Sequence, residues 1–134
     1  MTETSETQGS AVAIKLDDIK FNEATKSMAA IAWIPIVGFI LMFVEKKDTL
    51  VRYNGAQSTI IGLLHFLFSI VWGAVTGALW YFTALWGIFD LVSTVVSLIT
   101  LVLIVFGILQ TIGGKRFDVP VVSEWALKLV NMIK

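Results

Sequence analysis

The chain has 134 residues, with ten basic and ten acidic side chains, 57% hydrophobic and 15% charged content, and a mean hydropathy of +0.84. Soluble domains carry roughly 25% charged residues, and a net charge of zero argues against a nucleic-acid partner held on a basic surface. The lack of cysteine and the single histidine, His65, exclude disulfides, thiolate sites and multi-histidine metal sites within one chain. No metal or cofactor is expected.

Residues 1–10 read as a disordered tail by composition. Residues 11–27 mix Val12, Ile14, Leu16, Ile19 and Phe21 with charges and read as a surface segment. The division expected is a polar tail and surface segment over 1–23 and one helical membrane domain over 24–134. The start lacks a basic stretch followed at once by an apolar one, so no cleaved secretory signal is expected. The first apolar segment, Met28–Val44, is 17 residues long, the lower limit for a span. Pro35 and Gly38 lie inside it, and proline predicts a kink or break. A span is favoured here over a re-entrant loop, because two partner helices offer little cover for non-helical backbone at membrane depth.

Between Arg52 and Lys115 the only formal charge is Asp90. The uncharged run from Tyr53 to Phe89 covers 37 residues, too many for one span of about 20. It reads as a second segment from about Gln57 to Leu79, followed by an aromatic turn. Trp80-Tyr81-Phe82 and Trp86 favour the membrane–water boundary. A third segment runs from about Asp90 to Ile112 and stops at Gly113-Gly114. After Pro120, residues 123–134 carry Trp125, Leu129, Met132 and Ile133 on one side and Glu124, Lys128, Asn131 and Lys134 on the other. That spacing predicts an amphipathic helix with Ser123 as N-cap. It lies on the membrane or packs on the protein's own cytoplasmic face. The fold class expected is all-α: a polytopic helical membrane protein with about three transmembrane segments and a C-terminal amphipathic interfacial helix.

Segments two and three form a hairpin, so residues 45–56 and the C-terminus share a side. Lys46, Lys47, Arg52, Lys115, Arg116, Lys128 and Lys134 fall there and none falls in the aromatic turn, which makes that side cytoplasmic and the cytoplasmic membrane the expected location. If segment one spans, Lys15, Lys20 and Lys26 lie outside; if it re-enters, all ten basic residues lie inside.

Candidate functional residues follow from this frame. Gly73 and Gly77 form a GxxxG that lets helix backbones approach, and with Ser93 and Ser97 they are candidates for packing, within the hairpin or against a second copy. His65 lies at membrane depth, where ionisable residues are functional candidates. A neutral ring hydrogen-bonded to a neighbouring helix is the reading preferred over a proton relay. Lys46, Lys47, Arg52, Lys115 and Arg116 are candidate contacts for anionic lipid or a partner, beside their role as topological anchors. Glu45 and Asp48 stand among cations in an exposed loop, and Gly113-Gly114-Lys115-Arg116 lacks the rest of a phosphate-binding loop. No nucleophile–base pairing is visible, and no enzyme is expected.

The order of motifs carries a resemblance. Met28-Ala29-Ala30-Ile31-Ala32-Trp33-Ile34-Pro35-Ile36-Val37-Gly38-Phe39 precedes Glu45-Lys46-Lys47-Asp48, Val51-Arg52-Tyr53 and Gln57-Ser58, and Gly114-Lys115-Arg116-Phe117 and Pro120 come late. Over about residues 24–126 this resembles the small bacterial and archaeal membrane proteins related to the chloroplast inner-envelope protein-import component. The chain departs from them at Asn54, where members often carry histidine. The resemblance implies a helical membrane protein, with protein import suggested by the plastid relatives. The function expected is a non-enzymatic scaffold or translocation-associated component in the lipid bilayer, with a homo-oligomer or membrane-protein partner. The alternative is an oligomeric small-solute or ion transporter.

Overall fold

The computed structural model describes Ile19 and residues 21–133. The expected polar tail at 1–10, and Lys15, Lys20 and Lys134, lie outside the described residues. Within them the helices are α1 (Lys26–Ile31), α2 (Pro35–Val44), α3 (Thr49–Ala78), α4 (Trp86–Ile112) and α5 (Val122–Met132), with short 3-10 turns at Glu23–Thr25 and Thr83–Leu85. No strand occurs among the described residues.

Two helical stretches, Thr49–Ala78 and Thr83–Ile112, are long and apolar enough to cross a membrane. The sequence leads one to expect about three. The difference lies in Met28–Val44, which is not one helix. α1 ends at Ile31, Ile34 is extended (φ −80°, ψ 119°) and Pro35 opens α2. A residue before proline is driven out of the helical region, and proline at the first helical position sacrifices only an N–H that has no intrahelical partner. At ten residues, α2 is about 15 Å long, half the hydrocarbon thickness. The stretch also returns to its starting end, since the Thr25 hydroxyl donates to the Asp48 carboxylate.

Asp48 also starts α3. Its Oδ1 accepts the Val51 N–H at 3.0 Å, occupying one of the donors a helix leaves open at its N-terminus. α3 therefore begins eight residues before Gln57. Its 30 residues make about 45 Å, so the first third can sit outside a hydrocarbon layer. α4 ends where the glycine pair predicts. Gly114 takes φ +83°, while Lys115 N–H reaches Gln110 O at 2.9 Å and Gly114 N–H reaches Thr111 O at 3.0 Å. That double closure requires the left-handed residue glycine supplies.

The core gathers at one end of the hairpin. Ala29, Ala32, Met42, Leu50, Tyr53, Ala126 and Val130 belong to one buried cluster, which Ile19 joins, and Trp33, Ile61, Val119 and Val122 to another. Ile19 is therefore a core residue, where the sequence suggests a surface segment. Beyond Ile61 the two long helices carry exposed apolar side chains, among them Leu63, Phe66, Leu91 and Val102. α5 packs on α3, burying Val122, Ala126 and Val130. The expected apolar face is divided: Leu129 and Ile133 pack against the core, and Trp125 and Met132 are exposed. Ser123 is not the N-cap. Val121 occupies that place at φ 68° with no side-chain cap, and Ser123 is buried in the first turn.

Candidate functional site

Every residue from 50 to 59 is buried, and this decad holds Arg52, Asn54, Gln57, Ser58 and Thr59. A helix segment that polar survives burial only if its side chains find partners. They find main chain. Asn54 Nδ2 donates to Ala29 O at 2.9 Å and to Thr111 Oγ1 at 3.2 Å. Ser58 Oγ donates to Ala32 O at 2.6 Å. Gln57 grips the segment after α4 from both ends of its amide: Nε2 donates to Phe117 O at 2.8 Å, and Oε1 accepts Val119 N–H at 2.9 Å. Tyr53 OH donates to Asp118 Oδ1 at 2.6 Å. Trp33 is fully buried and donates from Nε1 to Thr111 Oγ1 at 3.1 Å. Buried Asn54 Oδ1 and Arg52 Nε have no hydrogen-bond partner among the described residues.

Glycines bring these backbones together. A Cβ at Gly38 would fall on Ser58 Oγ and the Ala32 carbonyl oxygen; one at Gly55 would come within 2.5 Å of Gly38 O; one at Gly107 would enter the Trp33 indole. A Cβ at Gly62 would also meet Pro35 Cβ at 2.8 Å, so these four glycines mark close approaches among the described residues. The glycines singled out from sequence are different: a Cβ at Gly73 or Gly77 meets nothing within 4 Å. The expected packing of Gly73 and Gly77 against Ser93 and Ser97 inside the hairpin is not made. Gly73, Gly77 and Ser93 line a groove at that end of the hairpin, and Ser97 is exposed.

The five cations expected at one docking surface divide by environment. Lys46, Lys47 and Lys115 are exposed. Lys47 and Asp48 border Phe21, and Gly114 faces the same ring, so the loop before α3 and the end of α4 are neighbours. Arg52 does not join them. It is 7% exposed, and its Nη2 donates to Val130 O at 3.3 Å and to Ile133 O. A guanidinium there completes the open carbonyls at the negative end of α5, which removes it from lipid or partner contact. Arg116 is half-buried and holds Asp118, with Nε 3.0 Å from Oδ1 and 3.2 Å from Oδ2. In the loop before α3, the backbone N–H of Lys47 (2.8 Å) and that of Asp48 (3.2 Å) bond Glu45 Oε1. These bonds, Lys47's first, hold the Glu45 carboxyl below its ordinary value of 4.5.

His65 is half-buried on α3, and its Nδ1 lies 3.1 Å from Thr100 Oγ1 on α4. Thr100 also donates to Val96 O at 3.0 Å, which leaves its oxygen to accept from a histidine N–H. The imidazole thus pins the two long helices at mid-length.

Sequence reasoning gave no site role to Asn54, Gln57, Trp33 or Asp118. A signal was present: polar residues crowd the first turns of an otherwise apolar helix, with Asn54 and Ser58 four apart on one face. Asn54 and Ser58 bond the carbonyls of Ala29 and Ala32, 25 and 26 positions away, which side-chain patterns do not mark. Comparison with protein-family models, curated proteins and solved structures finds no match to this chain.

Proposed function

We propose that this chain is a non-enzymatic integral protein of the cytoplasmic membrane that serves as a scaffold or protein-translocation-associated component. In this reading α3 and α4 cross the bilayer as a hairpin, and α1–α2 enters and leaves on one side. Residues 45–56 and the segment after α4 lie in the cytoplasm. The observation that carries it is how the buried polar side chains are used. Asn54, Ser58, Gln57 and Arg52 all bond backbone groups of other elements, which joins four chain segments into one body rather than lining a reactive cleft. The same bonds supply what a break at membrane depth needs. The carbonyls of Ala29 and Ala32, next to the break between α1 and α2, are capped by α3, and non-helical backbone is tolerated there when covered by protein. Re-entry also keeps the basic residues on one side, as the positive-inside rule favours.

The exposed Lys46, Lys47 and Lys115 then face the anionic headgroup layer, where each contributes about 1 kcal/mol, and offer a docking face for a membrane-protein partner. This fits the resemblance to proteins related to the plastid import component.

Topology and partner are tested together. Single cysteines at Glu23, Lys46 and Lys128 should label from the cytoplasmic side, and one at Thr83 from the other; opposite sides for Glu23 and Lys46 would refute re-entry. Crosslinking in native membranes should capture a membrane-protein partner. Its capture should weaken on charge reversal at Lys46, Lys47 and Lys115. Solute flux in reconstituted vesicles, lost on His65→Ala, would instead establish the transporter reading.

A further inference from the structure

The groove between the outer ends of α3 and α4 has a volume of about 360 Å³, within the range of roughly 300–1,000 Å³ typical of small-molecule sites. Its walls are aromatic: Trp72, Trp80, Trp86 and Phe89 line it, with Asp90 beside them. Two of the indoles have their polar edge tied to backbone. Trp72 Nε1 donates to Phe89 O at 3.3 Å, and Trp86 Nε1 donates to Trp80 O at 3.2 Å. Trp72 is further fixed by stacking on Phe68 at 5.6 Å and by an edge contact with Phe89 at 5.7 Å. With those N–H groups engaged, these rings offer a ligand mainly their π surface.

Asp90 makes no ion pair or hydrogen bond among the described residues, and residues 53–114 contain no lysine or arginine. The hairpin therefore holds a carboxylate with no cation of its own. Its floor is open because Gly73 and Gly77 stand where no packing contact requires glycine.

A membrane-boundary belt of tryptophans needs neither a carboxylate nor an open floor. Together, electron-rich rings, one anion and few free donors select a cation with an apolar shell. A hard metal ion would want several oxygen ligands, whereas a quaternary ammonium is bound by ring faces and a nearby negative charge. The geometry points to a quaternary-ammonium site at the outer end of the hairpin, built on Trp72, Trp80, Trp86, Phe89 and Asp90. The group comes from a free solute or from the headgroup of a choline lipid.

The test uses the full chain in maltoside micelles, which carry no choline. It is titrated with choline chloride against sodium chloride at equal ionic strength, and read by calorimetry and tryptophan emission. The expected result is saturable binding of choline alone. Asp90→Asn should weaken it about tenfold, and Gly77→Leu, which fills the floor, should abolish it. Neither variant should melt below the parent, since neither position is packed, and Gly77→Leu should gain slightly from helix propensity. A response that does not saturate, or that survives both substitutions, overturns the site. Nanodiscs then separate the sources. Weaker choline binding in phosphatidylcholine than in phosphatidylglycerol identifies a lipid headgroup as ligand; equal binding identifies a free cation.

Discussion

The two halves of α3 reverse the usual relation between polarity and burial. Residues 50–59 include Arg52, Asn54, Gln57, Ser58 and Thr59 and are buried throughout, whereas Leu63, Phe66, Leu67, Ile70 and Val71 are 54–61% exposed. In water this arrangement would be unstable, because exposed apolar area costs about 25 cal/mol per Å². It makes sense if two solvents act on one helix. In the proposed reading the outer half has hydrocarbon as its surroundings and needs no protein cover. The inner half meets four other segments, two of which break or end near it, and its polar side chains complete their backbone groups. The inner body is therefore held by close packing and specific bonds, the outer hairpin by few contacts between its helices.

The contrast is most sharply tested with tryptophans. Trp33→Ala in the body should cost about 3–5 kcal/mol, as large buried aromatics do. Trp80→Ala at the exposed turn should change stability by less than about 0.5 kcal/mol. Chemical unfolding in detergent measures both, and comparable losses would remove the distinction between the regions.

Arg52→Met should come next. It keeps the volume but leaves the Val130 and Ile133 carbonyls without their donor. Bonds to charged groups are worth about 1.5–3 kcal/mol, and the loss should appear locally as faster amide exchange and proteolysis within α5. Exchange rates in α5 equal to the parent's would show that packing alone holds the helix.

Glycine substitutions divide the regions by sign. Gly107→Ala should destabilise by about 1–3 kcal/mol, because the added methyl overlaps Trp33. Gly73→Ala should stabilise slightly, by up to about 1 kcal/mol of helix propensity, because nothing lies within 4 Å. Melting temperatures that fall for Gly73→Ala would mean that a second copy or ligand packs there.

The smallest effect concerns the exposed loop before α3. The Glu45 carboxyl is held below its ordinary value by the backbone N–H of Lys47 and Asp48. A depressed folded-state value stabilises the fold above the unfolded value, and that contribution is lost as pH falls through the folded one. Glu45→Gln should thus be slightly less stable than the parent at neutral pH and converge with it below the carboxylate range. A constant gap across a pH series of melting curves would show that the carboxylate's charge contributes nothing.

How much of this was legible differs between the regions for the same reason that their packing differs. The hairpin could be read along the chain: the uncharged run, the aromatic turn at Trp80 and the glycine stop at Gly113-Gly114 depend on local composition and backbone preference. The proline break at Pro35 was legible too, but its result, a helical pair that returns to its starting end, was the less favoured of two readings. Gly73 and Gly77 misled because GxxxG states that approach is permitted, not that it occurs. Gly38, Gly55, Gly62 and Gly107, with no such signature, are where it occurs.

By itself the sequence determined that the described residues are helical and that two of the three stretches it offered are long and apolar enough for hydrocarbon, because those properties follow from hydropathy and from φ/ψ limits of neighbouring residues. Only the tertiary structure decided that Arg52 caps α5 rather than facing lipid, that Asn54 and Ser58 close the break before α2, and that Trp72 and Phe89 are joined beside the groove that Asp90 lines. Those outcomes depend on carbonyls and rings brought together from 17 to 78 positions apart, and the spacing of residues along a chain does not encode which distant backbone groups lack a partner.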